Sequence, residues 1–347
     1  MTEAQYRQVT ITRITEQVPG VKTFELAYAN GGAIPYRSGQ FITFVFTHHG
    51  KEERRSFSIS SSAQAGESLA ITVKRIDNGA YSRLLIDRAK VGDVLQTTGV
   101  AGLFTLPADA LGKQVVFFAA GIGITPVFSL IKELLAGTDD TTAMLVYSNR
   151  NKSEAVFLAE LDGLLSRYRT RLTIEYLYSD AQNLARARLN KALVRTLLNE
   201  YAPGDRSKML FYICGPYEYM RMVIYALEEN SIKDEQIRRE NFNMNTRPVV
   251  VAEPPDKAPH NISFVHNGTE QTITAQYPET ILKAAIRHNI ALPYSCEAGR
   301  CGSCALRCTS GKVWHSYNEV LMDMDLRHGS ILTCTGYAVG GDITIEV

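Results

Sequence analysis

The sequence predicts three folded parts in series. They are an antiparallel β-barrel, a doubly wound parallel α/β sheet, and a small α+β module of β-grasp-like type. Three observations carry this. Residues 5 to about 105 hold short strand-like runs broken by turn signals. From Gln114 onward, continuous apolar runs alternate with segments of helical period. Near the end, four cysteines crowd around a glycine-containing loop behind a proline-rich stretch.

In the first part the runs are QVTITRI, TFELAY, FITFVF, ESLAITVKRI and DVLQTTGV, a spacing that suits a barrel or sandwich. In the second, QVVFFAA, AMLVYSN, LTIEYLYS and KMLFYICG read as strands buried on both faces. The stretches VFSLIKELL, EAVFLAELDGLLSRY, LNKALVRTLLNEY and EYMRMVIYALEEN have helical spacing, and strand–helix alternation implies a doubly wound sheet. Thr246 to Pro259 holds four prolines in fourteen residues, a stiff extended linker. After it, ISFVHNGTEQTITA predicts a hairpin turning at Asn267-Gly268, then a helix in ETILKAAIRHNI, the cysteine loop, and a last strand ending ITIEV. The boundaries that follow are 1–108, 109–245, a linker at 246–260, and 261–347.

The cysteine spacing is the most specific signal. Cys296, Cys301 and Cys304 form C-x4-C-x2-C, with Cys334 standing alone downstream. That is the plant-type [2Fe–2S] pattern. Two edge-sharing tetrahedra need four thiolates, and a loop giving three of them must curl tightly. Gly299 and Gly302 lie inside it, where positive φ and close N–H approach to sulfur are useful. A zinc site would more often pair two short knuckles. A disulfide framework suits a short secreted chain rather than 347 residues. Cys308 reads as a small packed residue on the strand leaving the loop. With all four positions filled by cysteine, His315 and His328 read as surface or turn residues, not ligands.

The 37 basic and 36 acidic residues leave a net charge of +1, which gives no support for nucleic-acid or bulk membrane binding. The apolar runs are too short to span a bilayer, and the polar start does not read as a signal peptide. A cytoplasmic protein is the expectation. Residues 261–347 hold eight acids against six bases, a formal charge of −2 that discriminates little between partners.

Three segments suggest nucleotide sites. Gly121-Ile122-Gly123-Ile124-Thr125-Pro126 joins a buried strand to a helix, where a phosphate can meet backbone N–H groups. It is not the GxGxxG fingerprint, and glycine turns of this kind are common. Arg55-Ser56-Phe57-Ser58 offers an arginine, an aromatic and hydroxyls in an extended segment, or else a serine-rich surface strand. Gly79-Ala80-Tyr81-Ser82 leads into a short helix whose start could hold a phosphate.

Taken in order, these segments resemble the ferredoxin–NADP reductase superfamily with a C-terminal plant-type ferredoxin. Arg55 to Ser58 matches its R-x-[YF]-S flavin motif, Val73-Lys74-Arg75 the strand beside the flavin phosphates, and Gly79 to Ser82 its G-x-x-S turn. Gly99 to Phe104 resembles its G-P-x-G-x-F stretch, Gly121 to Pro126 its nicotinamide-dinucleotide turn, Tyr147-Ser148-Asn149-Arg150 its adenosine-ribose stretch, and Cys214-Gly215-Pro216 its C-G-P turn. Phe57 stands for the commoner tyrosine and Val100 for the usual proline. The domain order is that of phenylacetyl-CoA epoxygenase and ring-oxygenase reductases.

The resemblance implies FAD, [2Fe–2S] and NAD(P)H as cofactors. It implies Ser58 near the reactive flavin nitrogen, with Phe57 along the ring and Arg55, Gly79 and Ser82 at the pyrophosphate. It also implies Thr125 and Cys214 beside the nicotinamide, and Gly121 with Gly123 at its pyrophosphate. Ser148 and Arg150 lean towards the 2′-phosphate of NADPH; Arg186 and Arg188 reinforce this or are solvated charges. The implied role is to pass electrons from NAD(P)H through FAD and [2Fe–2S] to an iron-bearing oxygenase component. A stand-alone reductase for a desaturase or other redox protein shares the same core. A redox-sensing binding protein is the reading from another class.

Overall fold

The computed structural model describes residues 6–48, 50–107, 110, 113–137, 141–242, 252–266 and 268–347. The chain forms two compact units: residues 7–100 with 104–242, and residues 101–103 with the C-terminal part. Barrel and parallel sheet thus share the first unit.

The barrel strands are β1 (Arg7–Val18), β2 (Val21–Tyr28), β3 (Phe41–His48), β4 (Lys51–Ser58), β5 (Ala70–Lys74) and β6 (Val94–Ala101). Their order is β4-β3-β6-β1-β2-β5, and a bridge between Ile59 and Ile71 joins the two edges. Alternation along the strands puts Val9, Ile11, Phe24, Leu26, Ile42 and Phe44 into one core. β4 follows β3 as a hairpin with Phe41 opposite Ser58. The helix α1 (Ala80–Arg88) follows β5, as the Gly79–Ser82 turn suggests.

The strands of the second sheet are β7 (Gln114–Ala120), β8 (Thr142–Asn149), β9 (Leu172–Tyr178), β10 (Leu210–Cys214) and β11 (Ile237–Glu240). They lie in the order β11-β10-β7-β8-β9, all parallel. Helices α2 (Ile124–Ala136) and α3 (Leu158–Arg167) cover one face, where Phe117, Leu145 and Tyr212 point. Helices α4 (Lys191–Tyr201) and α5 (Tyr217–Glu229) cover the other, over Phe118, Val146 and Phe211. Both faces are buried, so the strands read as unbroken apolar runs. α3 starts later than its sequence period suggests because Phe157 takes a left-handed conformation with φ +62°. α2 also binds the barrel. Ser129 Oγ donates to Ser61 O, and Lys132 pairs with Glu67.

In the C-terminal unit, strands β12 (His260–His266) and β13 (Thr269–Ala275) form the expected hairpin; Gly268 has φ +79°, and Asn267 lies outside the described residues. With β14 (Ala305–Ser310), β16 (Ser330–Leu332) and β18 (Ile343–Glu346) they make a mixed sheet of order β13-β12-β18-β14-β16. β12 runs parallel to β18, and β14 is antiparallel to it. A small ladder joins β15 (Val313–His315) to β17 (Gly336–Ala338). The helix α6 (Ile281–Arg287) buries Ile281, Leu282 and Ala285 in the core under the sheet. Cys308 lies on β14, as expected, and donates to Ser310 O at 3.1 Å.

The described half of the expected linker, 252–260, sorts with this unit; residues 246–251 lie outside the described residues. Pro254 is buried. The Asp256 carboxylate accepts from Gly340 N at 2.7 Å and Ala258 N at 2.9 Å, and shares a 2.7 Å hydrogen bond with His260 Nε2. These bonds, Gly340 first, hold its pKa down at about 2. A depressed carboxylate stabilises the fold above its ordinary value and loses that effect as pH falls through the folded one. Asp256→Asn should therefore melt the C-terminal module earlier than the wild type at pH 7, with the gap closing as pH is taken from about 4 to 2. Thermal unfolding of the full chain, followed by cluster absorbance, checks this; a gap that persists unchanged at the lowest pH contradicts it.

Candidate functional site

Strands of a parallel sheet end at one edge, and ligands collect where the strand order reverses. Here β7 is central, with β8 on one side and β10 on the other. The turn after β7 is a single 3-10 turn, Gly121–Gly123, running into α2. Gly121 has φ +54°, and a Cβ there would meet nothing within 4 Å, so this turn has room beside its backbone. Gly123 differs. A Cβ there would stand 2.3 Å from Cys214 O. The sequence suggests that both glycines open space for phosphate; in the structure Gly121 has open space beside its backbone, while Gly123 lets two turns touch. Thr125 is buried in the first turn of α2, and its Oγ1 donates to Ile122 O at 3.0 Å.

Cys214 ends β10 and is fully buried. Its neighbour across the ladder is Glu240, the last residue of β11. Burial, then the nearby carboxylate, pushes the thiol well above its ordinary value, so it stays protonated at neutral pH. Gly215 follows, packed against Ala120, and the exposed Pro216 caps α5.

From the barrel, Ser58 reaches the same place. Its Oγ donates to Glu240 Oε1 at 2.6 Å. Burial drives the Glu240 carboxyl up to about 7, opposed by the Ser58 bond. Its Oε2 is buried with no hydrogen-bond partner. An orphaned buried acceptor beside a hydroxyl and a thiol marks a candidate polar ligand position.

Along β4, Arg55 and Phe57 share the face opposite Ser58. Phe57 packs on Phe44, with centroids 5.7 Å apart. The Arg55 guanidinium lies 5.0 Å from the Tyr81 ring centroid and pairs with Glu53 at 2.8 Å. Val73 is buried in the barrel core, so only its backbone can face a ligand. Lys74 is exposed, 4.0 Å from Glu154. Ser82 is committed locally: its Oγ donates to Gly79 O at 3.1 Å and accepts from Ile76 N at 3.2 Å. At the end of β8, Asn149 is buried and Arg150 exposed. Arg186 pairs with Glu175 at 2.8 Å and Glu200 at 2.7 Å, so its charge is already answered; Arg188 is exposed.

In the other unit, the cysteines come as two pairs. Cys304 and Cys334 share a hydrogen bond with sulfurs 3.2 Å apart. The bond to Cys301, then backbone N–H groups, brings Cys296 down to about 6 despite burial, while Cys301 is pushed up. Ala298 N and Ser303 N point at the sulfurs of Cys296 and Cys301, each at 3.4 Å. Gly299 and Gly302 have φ of +68° and +72°, as a loop curling round a cluster requires. Two pairs of thiols, with N–H groups aimed at sulfur, fit two irons carrying two thiolates each. His315 corrects the sequence expectation of a surface residue. It sits half-buried on β15, and its Nε2 accepts from Leu332 N at 2.9 Å. Burial pushes it down to about 4, so it stays neutral.

Three described families match successive stretches. They are an oxidoreductase FAD-binding domain over residues 8–106, an oxidoreductase NAD-binding domain over 117–224, and a 2Fe-2S iron-sulfur cluster binding domain over 264–339. The ferredoxin reductase component of 3-ketosteroid-9-alpha-monooxygenase from Mycobacterium tuberculosis is 32% identical over 346 residues, 94% of this chain and 92% of that one. The chain belongs to this family of oxygenase reductase components. A component chain of the Escherichia coli 1,2-phenylacetyl-CoA epoxidase is 26% identical over 98% of this chain and 97% of its own. The fold is shared with phthalate dioxygenase reductase, at a TM-score of 0.60 and 24% identity over 99% of both chains. The reductase is thus an FAD- and [2Fe–2S]-dependent NAD(P)H oxidoreductase.

Sequence reasoning missed Glu240 because β11 is four residues, IRRE, with no apolar run. Only its place after the last helix of the parallel domain could have flagged it. Its raised pKa makes a prediction. The folded state holds this proton more tightly than the unfolded chain, so the buried carboxyl costs stability as pH rises from about 4.5 through 7. Glu240→Gln should then unfold at a higher temperature than the wild type at pH 8, by on the order of 3 kcal/mol of linkage, with the gap gone below pH 4.5. Equal melting curves at pH 8 contradict the assignment.

Proposed function

We propose that the chain is the electron-supplying component of an oxygenase system, taking electrons from NAD(P)H and delivering them through FAD and [2Fe–2S] to an iron-bearing oxygenase component. The observation that carries it is the joint presence, in one chain, of the Ser58–Glu240–Cys214 contacts and the paired-cysteine loop. The names of the relatives support the same acceptor class.

Bound flavin joins a two-electron donor to a one-electron acceptor, which is the cofactor's own chemistry. The chain supplies position and protons. Arg55 and Phe57 offer a charge and an aromatic face on one side of β4, and Ser58 a hydroxyl on the other. Gly79 and the start of α1 offer N–H groups, with Ser82 bracing the turn. Gly121 gives room for a phosphate at the start of α2. Thr125 and Cys214 wall the nicotinamide position with neutral groups. Glu240, poised near 7, holds or gives up a proton at the Ser58 hydroxyl. Cys296, Cys301, Cys304 and Cys334 hold the cluster. Domain limits of 1–108, 109–245 and 261–347 suit the three matched stretches, with residues 252–260 joined to the last. Four of six cysteines given to a metal cluster suit a reducing, cytoplasmic setting; among the described residues no helix is long and apolar enough to cross a membrane.

Arg150, exposed at the end of β8, supports a contact with the 2′-phosphate of NADPH. Arg150→Ala should raise KM for NADPH about tenfold, as loss of a charged hydrogen bond does, and leave KM for NADH unchanged. Equal changes for both coenzymes contradict that contact. The route itself is tested by Cys301→Ser. The purified variant should keep its flavin absorbance and NAD(P)H-driven ferricyanide reduction while cytochrome c reduction falls at least about tenfold. Normal cytochrome c reduction without a cluster overturns the route.

A further inference from the structure

The four cysteines come from two places, since Cys334 lies thirty residues beyond Cys304. One short segment, Ser316–Glu319, touches both. Ser316 N donates to Thr335 O at 2.9 Å, and Thr335 Oγ1 donates to Tyr317 O at 2.8 Å. Thr335 is the residue after Cys334. On the other side, Glu319 N donates to Gly299 O at 3.0 Å. A Cβ on Gly299 would stand 2.6 Å from Tyr317 O, so loop and segment meet backbone to backbone.

The side chains add charge to this contact. Arg300 precedes Cys301 and has only 12% of its side chain exposed. Its Nε lies 3.4 Å from Glu319 Oε2, and Glu319 is 14% exposed. Tyr317 OH donates to the same oxygen at 3.0 Å, and the Arg300 guanidinium lies 5.7 Å from the Tyr317 ring centroid. Two ions this buried lose hydration that their attraction only partly returns, so the pair is poor support for stability alone. Its place beside a cysteine ligand suggests another use.

We propose that Glu319 is a positioning residue for the cluster loop and that the Arg300–Glu319 pair sets the cluster's reduction potential. The inference rests on Cys296, Cys301, Cys304 and Cys334 being the ligands. Reduction adds one negative charge to the cluster. The Arg300 cation favours that charge, and the Glu319 carboxylate opposes it. In a site shielded from water each acts with more weight than at a surface. Neutralising one partner leaves the other unbalanced. The two single variants must then move the potential in opposite directions, which a purely structural brace does not do.

The test is an anaerobic redox titration of the full-length holoprotein, followed by the paramagnetic signal of the reduced cluster. Glu319→Gln should raise the equilibrium constant for electron uptake about tenfold, about 59 mV for one electron, and Arg300→Gln should lower it by a similar factor. Arg300→Lys, which keeps the charge, should stay within about twofold of the wild type, as should the double Gln variant. Loaded single variants at the wild-type potential, or shifted in the same direction, overturn the proposal. Should Glu319→Gln fail to load a cluster, Arg300→Gln against Arg300→Lys decides: a lower potential in the glutamine variant alone supports it, and equal potentials overturn it. A wild-type protein without any [2Fe–2S] signal would instead remove the ligand assignment beneath it.

Discussion

The contact on which the first unit depends is the backbone-to-backbone approach of two turns, one after β7 and one after β10. Gly123 has no side chain because the Cys214 carbonyl occupies the space a Cβ would need. Thr125 follows two residues after Gly123, buried in the first turn of α2. Cys214 ends β10, and the β10–β11 register sets Glu240 beside it. The barrel supplies the fourth group. Ser58 and Glu240 are 182 positions apart in sequence yet 2.6 Å apart in space.

How much of this was legible depends on whether a feature is local. The cysteine spacing, the glycine turn after QVVFFAA and the strand–helix alternation are local patterns with a physical cause in neighbouring residues, and each reappears in the structure. β4 was legible as an extended segment because Arg55, Phe57 and Ser58 alternate faces. Glu240 was not, since a four-residue edge strand reading IRRE has no periodicity to detect. His315 misled because a lone histidine near polar residues looks exposed. Only the fold shows that it accepts a hydrogen bond from Leu332, 17 positions further along the chain. Arg186 likewise looked available for a phosphate until the partners Glu175 and Glu200, one on a neighbouring strand and one on a helix, came beside it. What sequence hides in each case is a partner distant along the chain.

The two sites handle buried polarity in opposite ways. Around Ser58 burial disfavours charge. Burial raises the Cys214 thiol well above its ordinary range and brings Glu240 near 7, where the carboxyl is part protonated. Around the cysteine loop the structure pairs its polar groups. Arg300 faces Glu319, and backbone N–H groups aim at the sulfurs.

On the proposed route, the difference follows from what each site would move. A nicotinamide gives up two electrons together with a proton, so a carboxyl that titrates near the working pH is useful beside it, and a fixed charge would favour one side of the transfer. A cluster takes one electron and no proton. A group that titrated near it would make its potential wander with pH, whereas an ion pair of fixed sign holds the potential steady. His315 fits the same rule: burial keeps it uncharged down to about pH 4, so it fills a hydrogen-bonding place in the cysteine-bearing module without adding a charge that switches. In these two places the chain thus buries different polarity: a titratable acid beside Ser58 and an ion pair beside the cysteine loop.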